Sequence, residues 1–152
     1  MKLKDFDFRV WDKTKEEFLK KEPTLIKIDN ERVIAGRISR FYANTADIAD
    51  MFIRNGNDLE IELWTGYFDK NGNKIYEGDI IKYIYIFKHE LLDKGMIKKL
   101  PKKVSIGYIG IDNFLGFRIL KNKELQCFMK DIANIEIIGN IHENKELLNV
   151  RL

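Results

Sequence analysis

At 152 residues, 45 % of them hydrophobic and 34 % charged, the chain has the size and composition of one globular domain with a real core. Its net charge of +3 is too small to argue for nucleic acid by itself, and its one cysteine, Cys127, excludes an internal disulfide. No apolar run approaches the ~20 residues of a membrane span, and the acidic start Asp5-Phe6-Asp7 lacks a signal peptide's apolar stretch, so a reducing cytoplasm is the expected compartment.

In chain order, Phe6 to Asp12 alternates apolar and polar residues, which puts Phe6, Phe8 and Val10 on one face of a strand. Asp12 to Lys15 reads as a polar turn and Pro23 as a break. Strand candidates follow at 24–28 and 32–35, separated by a turn at 29–31. Residues 45–54 are the best helix. Thr45 supplies a cap, Asp47 favours the first turn, Ile48, Met51 and Phe52 make one apolar stripe, and Asn55-Gly56 stops it.

Asn71-Gly72 is a strong hairpin signal. A two-residue turn pairs Phe68 with Ile75 and Asp69 with Lys74; a three-residue turn with Gly72 in the left-handed conformation shifts those pairs by one. Both registers are open. The strand 80–87 is apolar on both faces, with Ile81, Tyr83, Tyr85 and Phe87 on one and Ile80, Ile84 and Ile86 on the other, interrupted by Lys82. A strand with one wet face alternates more cleanly, so this one is either covered on both sides or half engaged at an interface. Residues 104–109, 116–120 and 135–141 complete the strands, and a short helix from about Asn144 carries Leu147 and Leu148. The expected organisation is a single domain over 1–152, with an N-terminal part of strands and a helix (1–60) and a β-rich part (61–152).

The connection 88–103 carries six lysines against Glu90 and Asp93, a local +4 that leaves −1 for the remainder. His89 to Lys94 suit a helical turn, Pro101 ends any helix, and the rest reads as a basic loop. Lys94, Lys98, Lys99, Lys102 and Lys103 are the candidate nucleic-acid contacts, because lysine positions phosphates as a point charge without reading bases.

Motifs that carry chemistry are sparse. Cys127, beside Phe128 and Met129, reads as a small buried hydrophobe. His89 and His142 fit no familiar metal spacing with it, and neither a nucleophile elbow nor a phosphate loop is present; no catalytic residue, metal or cofactor is expected. Gly107, Gly110 and Gly116 read as sites of bulges or tight turns. Glu77 and Asp79 lie close enough in sequence to form an acid/base pair. The favoured reading is architectural: Gly78 supplies an unusual backbone angle and Asp79 accepts amide hydrogen bonds, since no nucleophile or metal set accompanies them.

Three separated stretches resemble one family. Phe8-Arg9-Val10-Trp11-Asp12-Lys13 is similar to an opening FRAWD pattern, with Val10 where alanine is usual. Thr65 to Ile81 (TGYFDKNGNKIYEGDII) resembles TGLKDKNGKEIYEGDIV, and Ile137 to Leu148 (IIGNIHENKELL) resembles VIGNIYENPELL. This is the pattern of the YopX family of phage and prophage proteins. The resemblance implies a mainly β (α+β) fold of split, strongly bent antiparallel sheets forming pseudo-barrels, and it supplies no activity. It also marks Thr65, Gly66, Asp69, Asn71, Gly72, Tyr76, Glu77, Gly78, Asp79, Gly139 and Asn140 as the structural motif. Lys145 stands where proline is usual, Tyr67-Phe68 replaces a leucine and a charged residue, and the connection 88–103 is longer than the pattern suggests. The function expected is that of a non-catalytic accessory protein in the host cytoplasm, acting through a protein partner or self-association. The alternative is nucleic-acid binding through the lysines of 88–103; no membrane contact is expected.

Overall fold

Strands dominate the computed structural model, which describes residues 6–20, 24–28, 33–37, 59–86, 92–93, 96–97, 103–112 and 116–152. It is mostly β with antiparallel sheets, one curled strongly into a half-barrel, in agreement with the fold the sequence predicts. The chain divides into two units, Met1–Trp64 and Thr65–Leu152. The helix predicted at 45–54 lies outside the described residues.

In the first unit, β1 (Phe8–Asp12) pairs with a two-residue β2 (Glu17–Phe18) and with the opening half of β5 (Leu59–Phe68), Phe8 facing Leu63 and Asp12 facing Leu59. Val10 and Leu59 form a small core bordered by Phe8, Leu19 and Ile61, while Trp11 meets Phe18 edge-on at 4.9 Å on the other face. Asp12 is fully buried and makes the expected turn: its Oδ1 accepts the Thr14 and Lys15 amides at 2.9 and 3.1 Å. Arg9 lies opposite Glu62 across the strands, and its Nε donates to Glu62 Oε2 at 2.6 Å. Glu62 is 1 % exposed, and this guanidinium, 4.4 Å from the Phe18 ring centre, offsets the cost of burying its carboxylate. β3 (Thr24–Ile28) and β4 (Val33–Arg37) form a separate two-stranded ribbon.

In the second unit the rest of β5 pairs with β6 (Lys74–Tyr76). A five-stranded sheet follows, in the order β12–β11–β10–β7–β13: Glu124–Phe128, Gly116–Lys121, Val104–Asp112, Asp79–Tyr85 and Ile132–Asn140. β7, between β10 and β13, is covered on both faces at its start from within the unit, whereas Ile86 just beyond its end is 45 % exposed. Ile81 and Tyr83 join Ile75, Ile109, Ile119 and Met129 in the main core, and Ile80 packs with Ile106 and Leu148 in a second one. Leu148 arrives on a 3-10 helix, Lys145–Asn149, where the sequence predicts a short helix with Leu147 and Leu148. At Ile80 the apolar second face is therefore core, and it lends no support to an interface.

Curvature has an identifiable source. β13 shifts register against β7 twice, once around Asn134 (φ 53°) and again between Ile137 and Gly139, and β12 shifts once against β11. An extra residue in one strand of a pair bends it and increases its twist. The glycines Gly107 and Gly110 serve close approach, correcting the bulge-or-turn reading. A Cβ at Gly107 would lie 2.5 Å from Ile119 Cγ2 and 2.9 Å from the Leu120 carbonyl oxygen, and one at Gly110 would lie 2.5 Å from Leu120 Cδ1. Residues 92–93 are also corrected, from helical turn to strand: β8 (Leu92–Asp93) pairs with β9 (Met96–Ile97), Asp93 facing Met96. Only two residues separate those partners, one of them a glycine, which is the spacing of the shortest hairpins.

Candidate functional site

The hairpin and the corner after it are built from hydrogen bonds that the sequence motif supplies. Asp69 donates its amide to the Asn73 carbonyl at 2.8 Å and accepts the Gly72 amide at 3.1 Å, with Gly72 at φ 83°. Asp69 thus faces Asn73, the three-residue alternative; a two-residue type I′ turn needs positive φ at Asn71 too, and Asn71 does not have it. The Asp69 carboxylate does more than close the turn. Oδ1 accepts the Asn71 and Asn73 amides at 2.9 Å each, and Oδ2 accepts the Asn73 side-chain amide and the Ile137 amide, both at 3.3 Å. Lys70 adds a backbone bond to the Ile135 carbonyl at 2.7 Å and an ion pair from Nζ to Glu136 Oε2 at 2.7 Å. The loop therefore closes the outer edge of β13, which would otherwise present unpaired amides. Burial pushes the Asp69 carboxyl's pKa up, but the donors of Asn73, Ile137 and Asn71 together hold it below its ordinary value.

Gly78, at φ 81°, donates its amide to the Ile109 carbonyl at 2.8 Å and accepts from the Ile141 amide at 2.9 Å. The middle and closing stretches of the motif meet at this residue. Asp79, 2 % exposed, accepts the Tyr76 amide on Oδ2 at 2.8 Å. The Thr65 hydroxyl donates to the Ile75 carbonyl at 2.8 Å and accepts the Tyr67 amide, next to Gly66 at φ 85°. Asn140 accepts the His142 and Glu143 amides on Oδ1, both at 3.0 Å, and donates from its side chain to Glu143. Gly139 leaves space for Asn144, whose side chain a Cβ there would meet at 2.7 Å. Glu77 is half-buried. Cys127 is buried, and burial raises its thiol pKa, so a thiolate nucleophile is disfavoured at neutral pH. Tyr83 is raised as well, first by burial; its ring meets Tyr85 edge-on at 5.6 Å.

Of the candidate lysines, Lys94, Lys98, Lys99 and Lys102 lie outside the described residues. Lys103 lies on the wall of a basic pocket of about 380 Å³ in the second unit. Two cations that the sequence reading missed share it: Lys121, the last residue of β11, and Arg151, beyond the C-terminal 3-10 helix. Tyr85, Ser105 and Gln126 line it too, and no aspartate or glutamate does among the described residues. Sheet order explains the convergence, because β12, β11, β10 and β7 are neighbours although their residues are distant in sequence. Gln126 is the extra residue at the β12 register shift: Ile119 faces Cys127 and Leu120 faces Leu125. A bulge of this kind re-aims a side chain. No sequence motif marks these positions.

A small, strongly bent antiparallel β protein, with its signature residues concentrated in one hairpin corner, is the class these features define. The family described as YopX protein matches residues 7–149, and the chain belongs to the YopX family. Protein EF1440 from Enterococcus faecalis, known from a crystal structure, is similar over 94 % of this chain and 97 % of its own, at 25 % identity and a TM-score of 0.48. No curated protein matches. Among the described residues no helix is long and apolar enough to cross a membrane.

Proposed function

We propose that this chain is a non-catalytic accessory protein of a phage or prophage, acting in the host cytoplasm through contacts with another protein or with a second copy of itself. The observation that carries this reading is the end of β5. Tyr67 and Phe68, adjacent at the hairpin, are 45 % and 53 % exposed on a support that Asp69 fixes to β13. Rigidly held, exposed aromatic rings are the usual anchors of protein interfaces. The polar groups of the surrounding motif bind backbone, so the corner acts as a mount for these rings. A tagged chain incubated with host lysate, together with light scattering of the purified protein, tests the reading. A specific partner or a dimer is expected, with loss in a Tyr67→Ser, Phe68→Ser variant. A strictly monomeric chain that recovers nothing specific contradicts it.

Nucleic-acid binding through Lys94, Lys98, Lys99, Lys102 and Lys103 is the second reading. One observation favours it: Lys103 shares a concave surface with Lys121 and Arg151. Log affinity should then fall with log salt by about 0.7–0.9 for each phosphate contacted. A gel-shift titration at two salt concentrations measures that slope, and a Lys98→Glu, Lys102→Glu variant with unchanged affinity rules the reading out.

A further inference from the structure

We infer that the basic pocket of the second unit is a binding site for the phosphate groups of a nucleotide. Three cations from three places in the chain, Lys103, Lys121 and Arg151, converge on one cavity with no acidic side chain among the described residues of its lining. None of the three has an ion-pair partner among the described residues. Glu124, opposite Lys121 across the β11–β12 hairpin, is exposed and outside the lining. A folded surface brings three like charges together at a cost, because each repels the others. An anion removes that repulsion. Arg151 offers a planar fork suited to two phosphate oxygens, and the lysines complete the charge as mobile donors. Ser105 and Gln126 add neutral donors, Gln126 from the bulge in β12.

The remainder of the cavity says what the phosphate is attached to. Tyr85, Val104, Ile106, Val150 and Leu152 line it too, so the lining combines cationic with aromatic and apolar residues. At about 380 Å³ it exceeds what an isolated phosphate fills and lies near the lower end, roughly 300 Å³, of small-ligand pockets. A nucleotide has both properties, with a charged phosphate chain and a flat base that stacks on a tyrosine ring.

Calorimetric titration of the full chain with ADP, AMP, adenosine and inorganic phosphate tests this, with oligothymidylate as competitor. ADP is expected to bind saturably, and adenosine about tenfold more weakly or less. Lys121→Glu and Arg151→Glu should each weaken ADP by about tenfold or more, the scale of one charge-assisted contact, with unchanged melting temperatures that show the fold intact. Displacement of ADP by oligothymidylate assigns the nucleotide to a strand, and failure to displace assigns it to the free pool; the phosphate site stands in both cases. Wild-type protein that binds neither ADP nor the oligonucleotide, or variants that bind like wild type, overturn it. The Tyr67→Ser, Phe68→Ser variant should bind ADP normally, so the fate of the protein-contact reading is scored separately.

Discussion

The hairpin corner and the basic pocket lie in the same unit and use polar residues in opposite ways. Around Asp69, Gly78 and Asp79 the acceptors and donors are matched to backbone amides and carbonyls at 2.7 to 3.3 Å. Around Lys103, Lys121 and Arg151 three cations share a cavity, and none of them has an ion-pair partner among the described residues. Satisfied groups of the first kind fix a shape, whereas unmatched charge of the second kind is a place to bind. The part of this protein that is easiest to recognise is therefore its scaffold, and the part best suited to recognise something else carries no motif.

Substitutions sharpen that contrast. The largest effect is expected at the staple: Asp69→Ala leaves the Ile137 amide and the turn amides without their acceptor, at a cost of ~2–3 kcal/mol. Urea unfolding measures it, and ADP affinity of the folded protein should not change. Gly107→Ala comes next, at about 2 kcal/mol, because its methyl meets both the Ile119 side chain and the Leu120 backbone. Gly72→Val should cost ~1–2 kcal/mol through left-handed strain alone, since nothing lies within 4 Å of the added carbon. An unchanged melting temperature there would contradict the left-handed conformation of Gly72. Lys121→Ala lies at the other end: stability within about 0.5 kcal/mol of wild type, with weakened ADP binding.

Acid should separate the two regions as well. The folded Asp69 carboxyl titrates below its ordinary value of 3.8. Its stabilisation is then fully present above the unfolded pKa and is lost as pH falls through the lower folded value. Denaturant midpoints of wild type should drop through that acid window, and the Asp69→Ala variant should lose part of this dependence.

Much of the scaffold was legible in the sequence because local chemistry dictates it. Asn71-Gly72 announced the hairpin, Gly78-Asp79 the corner, and Leu147 and Leu148 the C-terminal 3-10 helix. The register was not legible, since two- and three-residue turns share the same glycine and the choice follows from Asp69 bonding both its own turn and Ile137. β12 was missed for a related reason. Its turn, Asn122-Lys123, has φ values of 52° and 67° without a glycine, a conformation that side chains resist and that the sheet imposes. The pocket was invisible because Lys103, Lys121 and Arg151 are joined only by strand order. Register shifts in β12 and β13 belong to the same category, since they answer to curvature and to neighbours distant in sequence.

Residue-by-residue amide chemical shifts during an ADP titration address the division between scaffold and site most directly. Changes are expected at Lys103, Ser105, Lys121, Gln126 and Arg151, with Asp69 and the Tyr76–Asp79 corner unmoved. Shifts centred on Glu77 and Asp79, or none anywhere at saturating ADP, would contradict it.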